Sequence, residues 1–440
     1  MKLSINWLVF LLGSWFASVQ SICPTILEPA YPAPSLAAGW SAQLIAQGLT
    51  KPRTILFDTN GGLLILQQGF GIAHIKWTDN GSTCLQNPVQ TIVVSSTVVC
   101  PFFSSVECAW ELACNDGKTL YASSSNNVYA WNYTAATGTV GSSSQIIITN
   151  MTNDDPTTRS LLTTKLTPNQ LLISRGTTLN IDPEAELLST GHCQLKSFNL
   201  STLTPESTPY NFTTSGHLLA NGLRNSVGLA EEPLFGGIYS VENGPGNMTR
   251  NNIDIHLYNP GEELNFHGYL NGSTENQGAN YGFPYCFAVW NETDVGAGLL
   301  VGEQFSMLQN VTSNDTWCNN AGVHVAPKLT FAAHSAPLHM IFLANGTEAF
   351  ISFHGSLETT PPVGYRISSI TFNPTTGLPT SPSTSTTSTS DIISNSNSSF
   401  CPANCFRPVG MALDFLGRLF VSSDATGEIW VVVRTGSVGK

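Results

Sequence analysis

A chain with only 17 basic residues among 440 places several of them where a polar stretch runs into an apolar one. "GLRNSVGLA" sets Arg224 beside Asn225, and the same segment ends in the turn "ENGPG", with Gly244 and Pro245. Comparable leads are Pro52-Arg53, Thr158-Arg159, His334-Ser335-Ala336-Pro337 and Arg407-Pro408. Guanidinium groups gathered in one place suit an anion, because their fixed N–H forks match carboxylate geometry. Taken one at a time, each arginine has a plainer reading, in which it bonds carbonyl groups of the neighbouring chain segment.

The elements that must position these leads repeat. A polar lead, a short apolar strand, a turn rich in Asn, Asp or Gly, and a second apolar strand recur at 51–75, 107–131, 157–176, 223–244, 335–355 and 406–432. "YRISSITF" (365–372) reads as a further strand. Apolar runs of strand length with no sustained helical period predict an all-β chain. Six hairpins of one design predict a six-bladed β-propeller, with the leads converging at one mouth of its channel. The Ser/Thr-rich segment at about 374–400 holds few apolar residues and reads as a mobile surface loop, open to O-glycosylation, within a single domain spanning 22–440.

Composition bounds the function. With 10% charged residues and a net charge of -12, the chain lacks the basic footprint of nucleic-acid binding. "WLVFLLGSWFA" behind Met1-Lys2 reads as the apolar part of a signal peptide over 1–21, and no other stretch approaches spanning length. Twelve Asn-x-Ser/Thr acceptors, from Asn80 to Asn397 and including Asn247, fit a secreted, extracellular glycoprotein without membrane attachment. In an oxidising compartment the 10 scattered cysteines predict up to five disulfides, of which Cys401 and Cys405 in "CPANC" could close a small loop.

"GLRNSVGLA", "SVENGPG", "PGEELNF" (260–266), "GANYGFPYCFAVW" (278–290), "HSAPL" (334–338) and "CFRPVGMALDFLGRLFVSSDATGEIW", in this order, resemble the soluble pyrroloquinoline-quinone (PQQ) dependent glucose and sorbosone dehydrogenases. The resemblance is to the secreted fungal pyranose dehydrogenase branch and spans roughly 30–435. It implies one PQQ and one Ca²⁺ at the channel mouth, with a sugar oxidised above the quinone. Arg224 would lie at the quinone plane, Asn225 at its rim, and Arg407 and His354 in the cofactor-binding set. Main-chain oxygens of Gly244 and Pro245, with Glu262 of the Glu262-Glu263 pair, would hold calcium. These are hard ligands of the kind Ca²⁺ takes. Tyr281, with Asn280, would come near the site or pack within its blade, and a Cys286–Cys318 bridge would restrain the connection that follows.

The resemblance also implies a histidine that takes the proton of the anomeric hydroxyl while hydride passes to the quinone. The chain departs from the family there. "DDPTTRS" puts Pro156, which cannot accept a proton, where the base is expected, and Asp155 next to it faces the other way in an extended strand. His334 is the first substitute, since its "HSAPL" motif is intact; His354 is the second. After "FHG" the chain reads Leu357, Glu358 and Thr359 where relatives carry an arginine. At a dielectric of about 20 and about 6 Å, exchanging cation for anion costs a few kcal/mol against a tricarboxylate. Gln68 in "LQQGFG" replaces a charged residue. Two functions follow. One is a sugar dehydrogenase, a monomer passing electrons to an external haem protein or quinone, separate because no partner domain follows Lys440. The other is a redox-inactive propeller that binds a glycan or protein partner.

Overall fold

The structure, a computed structural model, describes residues 23–95, 112–114, 117–151, 158–296 and 298–435, with only the backbone at 112–114. The signal segment 1–21, Asp155, Pro156, Cys100 and Cys108 lie outside the described residues. Six sheets of four or more strands form the propeller. Their inner strands are Pro52–Phe57, Leu112–Cys114, Leu161–Thr163, Ser226–Glu231, Pro337–Phe342 and Pro408–Leu413, in chain order around the ring. All but Leu112–Cys114 begin within or just after one of the leads named above. Two small two-stranded sheets and short helices decorate the connections.

Ring closure joins the ends of the chain. Trp40–Ala46 pairs antiparallel with Glu428–Arg434, so an N-terminal strand completes the sixth blade at its outer edge. Inside the blades the apolar runs are buried on both faces. In Leu63–Gln67, Leu63 and Ile65 join the core shared with the sixth blade, while Leu64 and Leu66 join the one shared with the second. A strand flanked by neighbours on both sides must read as a continuous apolar run, which is why alternation was absent.

The inner strands approach most closely near the axis. A Cβ at Gly410 would stand 2.3 Å from the Arg53 carbonyl, and one at Gly228 would stand 2.8 Å from the His339 Cα, so only glycine fits either position. Buried serines on four of the second strands tie their blades to the next. Ser123, Ser174, Ser352 and Ser422 donate to the carbonyls of Arg159, Ser226, Val409 and Arg53, at 2.6 to 2.7 Å. Asn243 does the same from the fourth blade to the fifth, donating to the Pro337 carbonyl at 2.7 Å. Each bond satisfies a polar group that burial would otherwise strand.

Two expectations change. The Ser/Thr-rich segment is not all loop: Ser390–Ser394 is an outer strand of the fifth blade, paired with Arg366–Asn373 and with Ser35–Leu36. Its two isoleucines, Ile392 and Ile393, are 2% and 0% exposed and fill the core between the fifth and sixth blades. Cysteines form the bridges Cys23–Cys84, Cys286–Cys318 and Cys401–Cys405, but Cys193 is a buried free thiol. It sits at 0% exposure inside an apolar cluster, with no partner sulfur among the described residues.

Candidate functional site

The leads and the turns after the second strands meet at one face of the propeller. On the fourth-blade side Arg224 is fixed by oxygens. Its backbone N–H donates to Glu242 Oε1 at 2.5 Å, Nε to the Asn180 carbonyl at 3.1 Å, Nη2 to Asn180 Oδ1 at 3.1 Å and Nη1 to the Asn243 carbonyl at 3.2 Å. Asn180, on the long turn of the third blade, also exchanges bonds with the main chain of Gly246. It therefore locks the arginine to the Gly244-Pro245 turn. Asn225 Oδ1 accepts from the Thr158 hydroxyl at 3.2 Å, and its carbonyl accepts from Asn243 N–H.

Three carboxyls stand behind that turn. Glu262 accepts from Gly244 N–H at 2.7 Å and from Ala336 N–H at 3.2 Å, so it joins the fourth-blade turn to the His334 lead of the fifth blade. Both its oxygens face backbone donors, and it supports the turn from beneath. Asn265 donates to Glu242 and Glu263 at 3.2 and 2.9 Å. Burial pushes Glu262 up to about 7, against the two backbone bonds and Arg224. Burial also raises Glu263 to about 7 and, reinforced by Glu263, holds Glu242 well above the usual carboxylate range. A cavity lined by Arg224, Glu242, Gly244, Pro245, Glu263 and Tyr281 opens there. Among the described residues no group donates to the Gly244 or Pro245 carbonyls. Asn247, in the adjoining sequon, is exposed, so a glycan there projects outward.

The fifth, sixth and first blades build a different corner. His354 Nε2 lies 3.0 and 3.1 Å from the two oxygens of Asp424, and Arg53 Nη1 lies 3.2 Å from Asp424 Oδ2. Burial works to raise the Asp424 carboxyl, but His354, Arg53 and Arg407 outweigh it and hold it far below the ordinary range. Burial pushes His354 below its usual value; Asp424 opposes this, and the two arginines add to it. The Arg407 guanidinium sits 5.9 Å over the Tyr365 ring. Among the described residues its Nε and the Tyr365 hydroxyl are buried without a hydrogen-bond partner.

The remaining expected residues divide. Arg159 does not reach the mouth: at 0% exposure it donates to the carbonyls of Ser125, Thr158 and Met151, bracing the junction of the second and third blades. His334 gives Nε2 to the His256 carbonyl and holds Nδ1 4.0 Å from Glu358 Oε2. Glu358 thus answers a histidine at the rim, while Leu357 is exposed and the Thr359 hydroxyl bonds the Pro361 carbonyl. Tyr281 packs within its blade, donating to the Phe266 carbonyl, and also lines the cavity. Gln68 is half-buried. Asn180 and Asp424 were not anticipated. Asp424 follows the second strand of its blade, as Asn243 and His354 follow theirs, so aligning the repeats would have found it.

A model of the TrAA12-like family matches residues 34–435. The chain belongs to the TrAA12-like family. Within that family's reach, the chain is 44% identical over 438 residues to a PQQ-dependent sugar dehydrogenase of Hypocrea jecorina, covering 98% of this chain and 96% of the relative. It superposes with a TM-score of 0.87 and 45% identity on the calcium structure of Trichoderma reesei family AA12, over 93% of this chain and 99% of that one. It superposes with a TM-score of 0.84 and 30% identity on the holo form of the pyranose dehydrogenase PQQ domain of Coprinopsis cinerea, over 94% of this chain and 99% of that one. The redox-inactive alternative finds no support among these relatives.

Proposed function

We propose that this protein is a PQQ- and calcium-dependent sugar dehydrogenase that oxidises an aldose or keto sugar at its anomeric carbon and passes the electrons to an external acceptor. The observation that carries the reading is Arg407, a guanidinium held over Tyr365 with a buried, partnerless Nε beside Arg53 and His354. A cation so placed fits the carboxylates of PQQ. The Gly244 and Pro245 carbonyls fit calcium: they are hard oxygens without donors among the described residues, and behind them stand the buried carboxyls of Glu242, Glu262 and Glu263, whose ionised forms a cation would favour. Bound there, PQQ supplies a two-electron acceptor for hydride. Arg224, tied to Asn180 and Asn243, keeps its guanidinium fixed before ligand arrives, which lowers the entropy lost on binding. Asn225 presents its amide beside it.

The proton of the sugar hydroxyl goes to His334 Nδ1. Nε2 donates to the His256 carbonyl, which leaves Nδ1 as the acceptor, and Glu358 faces the resulting imidazolium. Secretion as a glycoprotein is supported by the three disulfides among the described residues and by the twelve sequon asparagines, every one of which is exposed or half-buried. The test is reduction of a dye acceptor by pyranoses and 2-keto sugars after loading with PQQ and Ca²⁺. Turnover that requires all three components is expected. Loaded protein that reduces no dye with any sugar of either class overturns the reading.

A further inference from the structure

The corner formed by Arg53, His354, Arg407 and Asp424 balances three potential cations on one carboxylate. His354 is held at its Nε2 by both oxygens of Asp424, and that carboxyl stays ionised. The neutral imidazole is therefore the Nε2–H tautomer, with Nδ1 free of a proton. The charged groups that face it are Asp424, Arg407 and Arg53. Two arginines beside a largely buried imidazole disfavour a third positive charge. An arriving carboxylate offsets them and reverses that preference.

We propose that binding of an anionic, carboxylate-bearing ligand at this corner takes up one proton from solvent at His354 Nδ1. Asp424 is the positioning residue that fixes the tautomer and spaces the cations. With PQQ as the ligand, the inference rests on the cofactor reading above; the proton uptake itself requires only the carboxylates. The sign follows from linkage. The ligand-bound protein holds more protons than the free protein between the two His354 pKa values, so affinity falls as pH rises through that window, by up to about tenfold per pH unit for one proton. Above the window affinity levels off.

The experiment is calorimetric titration of the full chain near pH 6.5 in two buffers of different ionisation enthalpy. PQQ with Ca²⁺ is one probe; benzene-1,3,5-tricarboxylate without metal is the other. The expected result is a binding heat that differs between buffers by close to one proton per ligand, with the difference abolished in His354→Gln while binding persists. Equal heats in the two buffers, or an undiminished difference in His354→Gln, overturn the proposal. Tricarboxylate binding with proton uptake but no PQQ binding would sustain this proposal and sink the cofactor reading. Binding of neither overturns both. If His354→Gln does not fold, ¹⁵N-histidine NMR of the wild-type protein decides: one Nδ1 becomes protonated on ligand addition, and an unchanged spectrum rejects the idea.

Discussion

The two sides of the mouth solve opposite electrostatic problems. The fourth-blade side gathers three buried carboxyls around one arginine, and two of them are pushed up to about 7. The opposite corner gathers Arg53, Arg407 and His354 around Asp424, whose carboxyl is driven down. One corner is short of positive charge and the other of negative charge. A ligand that brings a cation to the first and carboxylates to the second relieves both, and no single hydrogen bond at either corner reveals this.

The largest effect expected from breaking this contrast comes at Arg407. Arg407→Ala removes a charge-assisted partner from a buried site and should weaken PQQ binding by about a hundredfold or more, while calcium affinity stays unchanged. Fluorescence titration with each ligand separately checks it. An equal loss for both ligands would mean the two corners are not separate.

Glu262→Gln comes next. A glutamine oxygen can accept from only one of Gly244 and Ala336, and its amide N–H₂ opposes the other donor. The calcium concentration needed for half-saturation should rise roughly tenfold, at about 1–3 kcal/mol for the orphaned donor. Unaltered calcium dependence would remove Glu262 from the support of the turn.

A smaller, global effect concerns pH. Glu262 and Glu263 titrate near 7 in the fold and about 4.5 when free. Folding therefore favours their neutral forms. Their contribution to stability is complete below about pH 4.5 and is lost as pH rises through about 7. The melting temperature of metal-free protein should fall across that window, and the increment given by Ca²⁺ should grow with pH. A calcium increment independent of pH would contradict the charge assignment. Smallest is Glu358→Gln: Glu358 is partly exposed and its charge is screened, so removing it should tighten PQQ binding only about two- to threefold.

Much of this was legible in the sequence because repetition carries it. The hairpins marked the inner strands, and Arg224, Asn225, His334, His354 and Arg407 all come to the mouth. Arg159 shows the limit. Its lead matches the others, but three carbonyls lie within its reach at a blade junction, and a lead sequence says nothing of which way a long side chain turns. "SDIIS" was hidden by its Ser/Thr-rich flanks, although its two adjacent isoleucines both enter the core between the fifth and sixth blades. Asp424 in "SSDATG" looked like ordinary turn chemistry. What singles it out is the company of Arg53 and His354, which lie 371 and 70 residues away in the chain.

The most direct test is an equilibrium titration of the metal-free protein with PQQ, followed by tryptophan fluorescence, with and without Ca²⁺. One-to-one quenching that Ca²⁺ tightens, and PQQ that in turn tightens Ca²⁺ by the same factor, is the result expected of two corners filled by one bridged ligand pair. Absence of quenching, or PQQ binding indifferent to Ca²⁺, would contradict it.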